Sequence, residues 1–265
     1  LVSAAFGRDT TFVLNALSFF ASAWFIARVS VPDRAAPEPG AGFRPFVDGV
    51  RYLMSHRDVA AMALIKAGWA VVGGAILILT VFGQRVFPVA GSPDAGTGIL
   101  FAARGIGALA GSWLVTHIAM KSSGRLIRLV WPAYILAGAF YAMLGISPTI
   151  WVAAALVIGA HVCGSILWVA SNVLLQLNVR EAFRGRVFAA ELAAMTLVQS
   201  TSAYTTARLL DEWHLDPRRL AVWCGLVLWI PGVIWMIGKG KTYHGDTEAR
   251  RTHGEDQRPN TPKPS

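Results

Sequence analysis

Residues 167–191 read LWVASNVLLQLNVREAFRGRVFAAE, and this stretch decides the class of fold. An apolar segment ends at Asn178, and a second apolar segment is predicted to begin as a helix near Val187. The short connection between them is basic and contains one glycine: Arg180, Arg184, Gly185 and Arg186. Because cytoplasmic loops of membrane proteins carry an excess of Lys and Arg, the stretch predicts two membrane-spanning helices joined at the cytoplasmic face.

The composition of the whole chain also indicates a membrane protein. Apolar residues make up 54% of the sequence, charged residues 15%, and the mean hydropathy is +0.50. The net charge of +9 raises the alternative of nucleic-acid binding. The basic residues lie in short clusters between apolar runs, however, so no nucleic-acid partner is predicted. Cys163 and Cys224 fall inside apolar runs and are expected to be buried rather than disulfide-bonded.

Membrane-spanning helices need about 20 mostly apolar residues. Seven segments satisfy this requirement: 10–29, 59–84, 97–119, 127–146, 149–177, 187–207 and 219–238. The sequence therefore predicts an all-α, polytopic membrane helix bundle with seven transmembrane helices. Lys and Arg are concentrated in alternate connections and in the tail, which predicts a multi-pass membrane protein with a cytoplasmic carboxy-terminal tail. The plasma (cell inner) membrane is its expected location.

Two segments outside the predicted spans have different characters. The cytoplasmic linker 30–57 begins with several prolines and then places Phe46, Val50 and Leu53 at helical spacing, which predicts an interfacial amphipathic helix. The tail 239–265 is polar and without periodicity, and it is predicted to be disordered. No signal peptide is predicted, and because Leu1 is not an initiator methionine, the chain is expected to be part of a longer protein.

The connection after Asn178 resembles a known family. Asn172 and Gln176 on one helix, followed by Arg-Gly-Arg-Val-Phe at 184–188, resemble the link between helices 10 and 11 of major facilitator superfamily transporters. The likeness is greatest to the exporter branch that includes enterobactin-exporter-like and macrolide-efflux-like proteins. By this resemblance, 1–29 corresponds to helix 6 and 58–238 to the six-helix carboxy-terminal half of the fold, so an amino-terminal half is a missing partner.

The resemblance also implies a function. Such a protein exports a small amphiphilic molecule, a drug or a siderophore by alternating access, and the expected coupling ion is a proton. Two cytoplasmic gating loops are implied, with these residues: Gly124, Arg125, Arg184, Gly185 and Arg186. The arginines of the second loop are expected to pair with acidic side chains or with helix carboxyl ends. Helices 7, 8, 10 and 11 are expected to line the central cavity.

Polar side chains within the predicted spans mark a candidate substrate or ion pathway, because polar groups inside a bilayer tend to face a protein interior or a wet cavity. The candidates are Lys66, Thr80, Gln84, Arg104, His161, Asn172, Gln176 and Glu191. They fall on shared helix faces. None of them lies in 127–146 or 219–238, the two spans that the resemblance makes peripheral. Close helix packing is expected at the glycines of GIGALAG: Gly105, Gly107 and Gly111.

Each of these residues also has a structural interpretation. Lys66 is long enough to extend to the membrane surface or to form a structural ion pair. Glu191 lies about one turn beyond Arg186, which favours a salt bridge at the cytoplasmic end over proton coupling. His161 is more simply a hydrogen-bonded core residue, and Asn172 is equally explained as a contact between helices. Arg104 is expected to contact an anionic or polar substrate.

Enzyme motifs are not found in the sequence. It contains no Walker loop, no HExxH and no nucleophile elbow, so no catalytic residue, metal or cofactor is predicted. The alternative to a transporter is a truncated, non-transporting membrane protein that acts as a scaffold or a partner subunit.

Overall fold

A computed structural model describes residues 2–29, 43–89, 93–118 and 123–255. In this part of the chain the architecture is a bundle of α-helices. The helices are α1 (Val2–Ala27), α2 (Arg44–Ser55), α3 (Arg57–Ala70), α4 (Ala75–Val81), α5 (Pro93–Ile118), α6 (Ser123–Gly145), α7 (Ile150–Asn178), α8 (Glu181–Asp211) and α9 (Pro217–Glu255). A π-helical turn, Phe82–Val86, follows α4 directly.

Six helical stretches are long and apolar enough to cross a membrane. They are Asp9–Ala27, Arg57–Val86, Asp94–His117, Ser123–Gly145, Ile150–Asn178 and Pro217–Gly238. Each coincides with one of the predicted spans, so the all-helical class is confirmed and the chain has the helices of a multi-pass membrane protein. The many large apolar side chains that remain exposed on these helices suit contact with acyl chains.

The remaining predicted span, 187–207, lies within α8. This helix has 31 residues, but its second half is not apolar enough to qualify as a span. Hydroxyl and amide side chains lower its hydropathy there: Thr196, Gln199, Ser200, Thr201, Ser202, Thr205 and Thr206. The seven-helix count therefore stays a prediction.

Both predicted gating loops are shorter than expected. α8 begins at Glu181 rather than near Val187, so Arg184, Gly185 and Arg186 lie in its first two turns and the connection to α7 is only Val179 and Arg180. Glu181 favours this early start, because an acidic side chain in the first turn interacts favourably with the helix dipole.

The other predicted gating residues, Gly124 and Arg125, lie in the first turn of α6 rather than in a loop. Gly124 is half-buried and Arg125 is exposed. At the carboxy terminus, α9 continues past its apolar part to Glu255, into the segment 239–265 for which disorder is predicted. No proline follows Pro231 until Pro259, so nothing in this segment forces the helix to end. Residues 256–265 lie outside the described part of the chain.

The first long span after the linker is a broken helix. α3 ends at Ala70, the backbone turns through Val71–Gly74, and α4 begins at Ala75. α8 lies against this break: a Cβ on Gly73 would come within 2.7 Å of Gln199, and a Cβ on Gly74 would overlap Thr206. The two glycines therefore allow the close approach of α8.

Other glycines bring pairs of helices into direct backbone contact. Gly138 of α6 and Gly225 of α9 face each other, and a Cβ on Gly138 would lie 2.5 Å from the Gly225 carbonyl oxygen. Gly107 and Gly111 bring α5 against the α7 backbone in the same way, which confirms close packing there. Gly105 faces open space instead. α6 and α7 complete a contiguous core, whereas α1 is exposed along almost its whole described length.

Candidate functional site

A buried ion pair joins α3 and α8 inside the bundle. The ammonium nitrogen of Lys66 lies 3.1 Å from Glu191 Oε1 and donates to Asn172 Oδ1 of α7 at 2.6 Å. Ser171 Oγ donates to the same Glu191 carboxylate at 2.6 Å. Only 6% of Lys66 and 2% of Glu191 are accessible, so both charges are compensated within the protein. We call Lys66, Ser171, Asn172 and Glu191 the charge cluster.

The charge cluster lies well inside the first residues of α3 and α8. At 1.5 Å per residue, Lys66 is about 14 Å along α3 from Arg57, and Glu191 is about 15 Å along α8 from Glu181. Since a bilayer core is about 30 Å thick, this depth is close to its middle for helices that cross it. Lys66 therefore forms an interior pair rather than extending to the membrane surface. Glu191 pairs with Lys66, so the interpretation of a salt bridge at the cytoplasmic end is wrong.

A cavity of about 200 Å³ lies one helical turn beyond the charge cluster. Each of the three helices that form the cluster also lines the cavity: Ala70 follows Lys66 on α3, Trp168 precedes Asn172 on α7, and Met195 follows Glu191 on α8. Trp168 contacts both, because its ring centroid is 4.7 Å from the Lys66 ammonium nitrogen. The two features therefore form one site.

Six of the thirteen residues that line this cavity carry aromatic or polar side chains. Those with polar or aromatic groups are Trp69, Arg104, Tyr141, His161, Trp168 and Gln199. The Tyr141 hydroxyl and His161 Nε2 are 3.2 Å apart and share a hydrogen bond. Arg104 is half-buried, and none of the ion pairs between described residues involves it. The cavity therefore offers one cationic group and several aromatic faces to a guest molecule.

The broken helix forms one wall of the cavity. Val72, Gly73 and Ala75 line it, so backbone outside regular α-helix borders this space. Ser202 of α8 supports the break, donating from Oγ to the Val71 carbonyl at 2.6 Å and accepting from the Gly74 amide at 3.2 Å. Irregular backbone at membrane depth is tolerated where it is buried in protein or borders a cavity, and this break satisfies both conditions.

The structure brings together five of the eight pathway residues predicted from the sequence. Lys66, Asn172 and Glu191 form the charge cluster, and Arg104 and His161 line the cavity. The other three lie elsewhere. Gln84 and Gln176 are exposed, and Thr80 is half-buried and donates to the Ile76 carbonyl of its own helix.

At the basic end of α8, the arginines of the predicted gating loop make different contacts. Arg186 forms an ion pair with Asp48 of α2 at 3.3 Å. Arg184 takes part in none of the ion pairs between described residues. The expected pairing with an acidic side chain is therefore found for Arg186 alone.

Sequence reasoning missed several residues of the site. Ser171 follows from no pattern, because it lies beside Asn172 on a different part of the helix face. Tyr141 lies on α6, a helix that the family resemblance makes peripheral, yet it reaches the cavity. The sequence feature that could have identified Tyr141 is its position as a tyrosine within an apolar run. Within the described residues, no group of three or more His, Cys, Asp or Glu side chains is placed to hold a metal ion.

Comparison with known proteins finds no family model, no curated protein and no solved structure that matches this chain. The resemblance to major facilitator exporters therefore remains a hypothesis that depends on the motif and the architecture.

Proposed function

We propose that this chain is the carboxy-terminal half of a secondary active transporter of the major facilitator type, which exports a small amphiphilic molecule, a drug or a siderophore across the plasma membrane. The observation that carries the proposal is the layered site, in which the mid-depth charge cluster adjoins a cavity bordered by a broken helix. Secondary transporters place substrate and coupling-ion sites near the bilayer midplane, on discontinuous helices.

The chemistry of the site supports separate roles for its two layers. The cavity, with Arg104 and the aromatic side chains, is the place for the transported molecule. The charge cluster is the place for the coupling ion, which we propose to be a proton that Glu191 accepts. Protonation of Glu191 would remove the charge that holds Lys66 on α8, so that α3 and α8 can separate. Trp168 contacts both layers and would transmit this change to the bound molecule.

The exposed face of α8 supports the presence of a second half. Hydroxyl-bearing side chains are exposed along it: Thr196, Ser200, Thr201, Tyr204 and Thr205. Such a face gains little from acyl chains, whereas a second bundle of helices would cover it or share a wet path with it. The cavity volume of about 200 Å³ also supports a site that a second half completes. It is smaller than the roughly 300–1,000 Å³ that accommodates drug-sized ligands, as expected for a path that a second half completes.

The same polar face also supports a second candidate function. A scaffold or partner subunit would use it to bind another membrane protein, with no molecule passing through. Flux distinguishes the two functions. A transporter moves a probe molecule across the membrane, and a scaffold does not.

Efflux of an amphiphilic dye tests the proposal. Cells that express the natural protein are loaded with ethidium, and its loss is followed by fluorescence. We expect faster loss than in cells without the protein. For a catecholate probe, whose negative charge Arg104 can bind, we expect Arg104→Ala to slow efflux by about tenfold, as for a lost charge-assisted contact of about 1.4 kcal/mol. Arg85→Ala is the control, since Arg85 is exposed and lies outside the cavity. Equal efflux with and without the protein, for ethidium and for a catecholate probe, would contradict the proposal.

A further inference from the structure

Helix α2 has two different faces. One face packs on the start of α8: Tyr52 is 6% exposed and stacks on Phe183 with 4.9 Å between ring centroids, and Gly49 contacts the Arg186 carbonyl. Arg186 also binds Asp48, the only carboxylate of α2, at 3.3 Å. These contacts fix the rotation of α2 about its own axis.

The fixed rotation leaves an apolar stripe uncovered. Phe43, Val47, Val50 and Met54 recur at intervals of four, three and four residues, so they follow one line along the helix. Their exposures are 78%, 45%, 36% and 80%. Of the residues from which an interfacial helix was predicted, only Val50 belongs to this stripe, because Phe46 and Leu53 are half-buried.

Basic side chains flank the stripe. Arg44 and Arg51, seven residues apart, are exposed along one side of it. Arg57 and Arg180 are exposed at the adjoining ends of α3 and α7, which border the same end of the bundle. The single acid of α2, Asp48, is 40% accessible and forms an ion pair with Arg186, so Arg44 and Arg51 are the exposed charges of α2 that flank the stripe.

The position of α2 brings this stripe to the level of a membrane surface. α2 ends at His56, whose φ of −127° and ψ of 86° break the helix, and α3 enters the apolar span at the next residue. Lipid-exposed side chains of the spans therefore begin directly beside the stripe. A helix with an apolar line and a basic flank, at the end of a span, has the composition of an interfacial anchor.

We infer that α2 binds the surface of an anionic lipid leaflet, with Phe43, Val47, Val50 and Met54 inserted at the acyl boundary and Arg44 and Arg51 on lipid phosphates. Its contacts with Asp48, Gly49 and Tyr52 then hold the first turns of α8 at that surface. The inference depends on α2 and its neighbours and does not require that the protein transports anything.

Fluorescence quenching on the whole chain tests the insertion. The protein is reconstituted into vesicles of equal parts phosphatidylcholine and phosphatidylglycerol, with an environment-sensitive label on Val47→Cys or, as the matched control on the same helix, on Ser55→Cys. Cys163 and Cys224 are buried and stay in place, and unlabelled wild type gives the background. We expect brominated acyl chains to quench the label at 47 and aqueous iodide to quench the label at 55. Iodide quenching at 47 equal to that at 55, or shielding of 47 from both quenchers, would overturn the inference.

A second measurement tests the recognition of anionic lipid. The label at 47 is compared in vesicles in which either the phosphatidylglycerol or the phosphatidylcholine is brominated. We expect stronger quenching by the anionic lipid, and we expect Arg44→Gln and Arg51→Gln each to reduce this preference by about fivefold, which corresponds to about 1 kcal/mol per basic residue. Arg85→Gln, at the far end of the broken helix, should leave it unchanged. An unchanged preference in the double variant would overturn the assignment of the arginines.

Discussion

Lys66 on α3 and Glu191 on α8 lie 3.1 Å apart and are almost fully buried, although 125 positions separate them in the sequence. The pair connects α3 and α8, and both of these helices line the cavity. It lies beside the cavity, about one helical turn from Ala70 and Met195 in the cavity wall.

Replacing one member of this pair should destabilise the protein strongly. Lys66→Met leaves the Glu191 carboxylate buried without its cation, and we expect a loss of about 3–5 kcal/mol. The double variant Lys66→Met/Glu191→Leu removes both charges and should be more stable than Lys66→Met alone. Thermal unfolding in detergent measures these differences.

The control for that experiment is the exposed pair Arg208–Glu212, at 2.6 Å with about half of each side chain accessible. Arg208→Gln should change stability by less than about 1 kcal/mol, because solvent screens the pair. If Lys66→Met were no more harmful than Arg208→Gln, the buried pair would not contribute as the geometry indicates.

Support of the helix break by Ser202 gives a second prediction. Ser202→Ala leaves the Val71 carbonyl and the Gly74 amide without their partner, so the free energy of unfolding should fall by about 1–3 kcal/mol. Thr201→Ala is matched to it, since the Thr201 hydroxyl only bonds to the Leu197 carbonyl of its own helix and the residue is exposed. Chemical unfolding measures the loss of unfolding free energy in both variants. Equal losses would contradict the role of Ser202 in stabilising the break.

The contact between Gly138 and Gly225 gives a third prediction. Gly225→Val places side-chain atoms against the α6 backbone, and it should lower the unfolding temperature by forcing α6 and α9 apart. Gly105→Ala should be neutral or stabilising by up to about 1 kcal/mol, because its Cβ meets open space and alanine favours the helix. A tolerated Gly225→Val would mean that these helices do not pack through their backbones.

The crossing of the membrane by α8 is open to direct measurement. Cysteines introduced at the exposed positions Ala182 and Asp211, near its two ends, are exposed to a membrane-impermeant maleimide in sealed vesicles. We expect the two positions to be labelled from opposite sides. Labelling of both from the same side would reduce the number of spans to the six that are apolar enough by themselves.

Much of the fold follows from the sequence because apolar length and helical period are local properties. They predicted the six helices that are long and apolar enough to cross a membrane, and the helical wheel placed Lys66, Asn172 and Glu191 toward the interior. The wheel orients each helix alone, however, and does not say which helices are neighbours. Glu191 therefore was expected to pair at the end of α8, whereas packing of α3 against α8 pairs it with Lys66.

Two further differences have physical reasons. The sequence did not predict the break at Val71–Gly74, because two glycines in an apolar run also suit helix packing. In the structure, Ser202 hydrogen-bonds to the backbone at the break and Thr206 packs closely against Gly74. Gln84 and Gln176 share wheel faces with residues of the site, but no neighbouring helix covers their side chains, which are exposed.

Proton-driven flux in proteoliposomes tests the central claim most directly. The natural protein is reconstituted, and movement of ethidium is measured with and without a pH gradient. We predict that the gradient accelerates movement in the wild type and in Arg208→Gln, and that Glu191→Gln loses this acceleration while remaining folded enough to bind the dye. Acceleration by the gradient that is equal in Glu191→Gln and wild type, or wild-type flux no greater than in protein-free vesicles, would contradict the account.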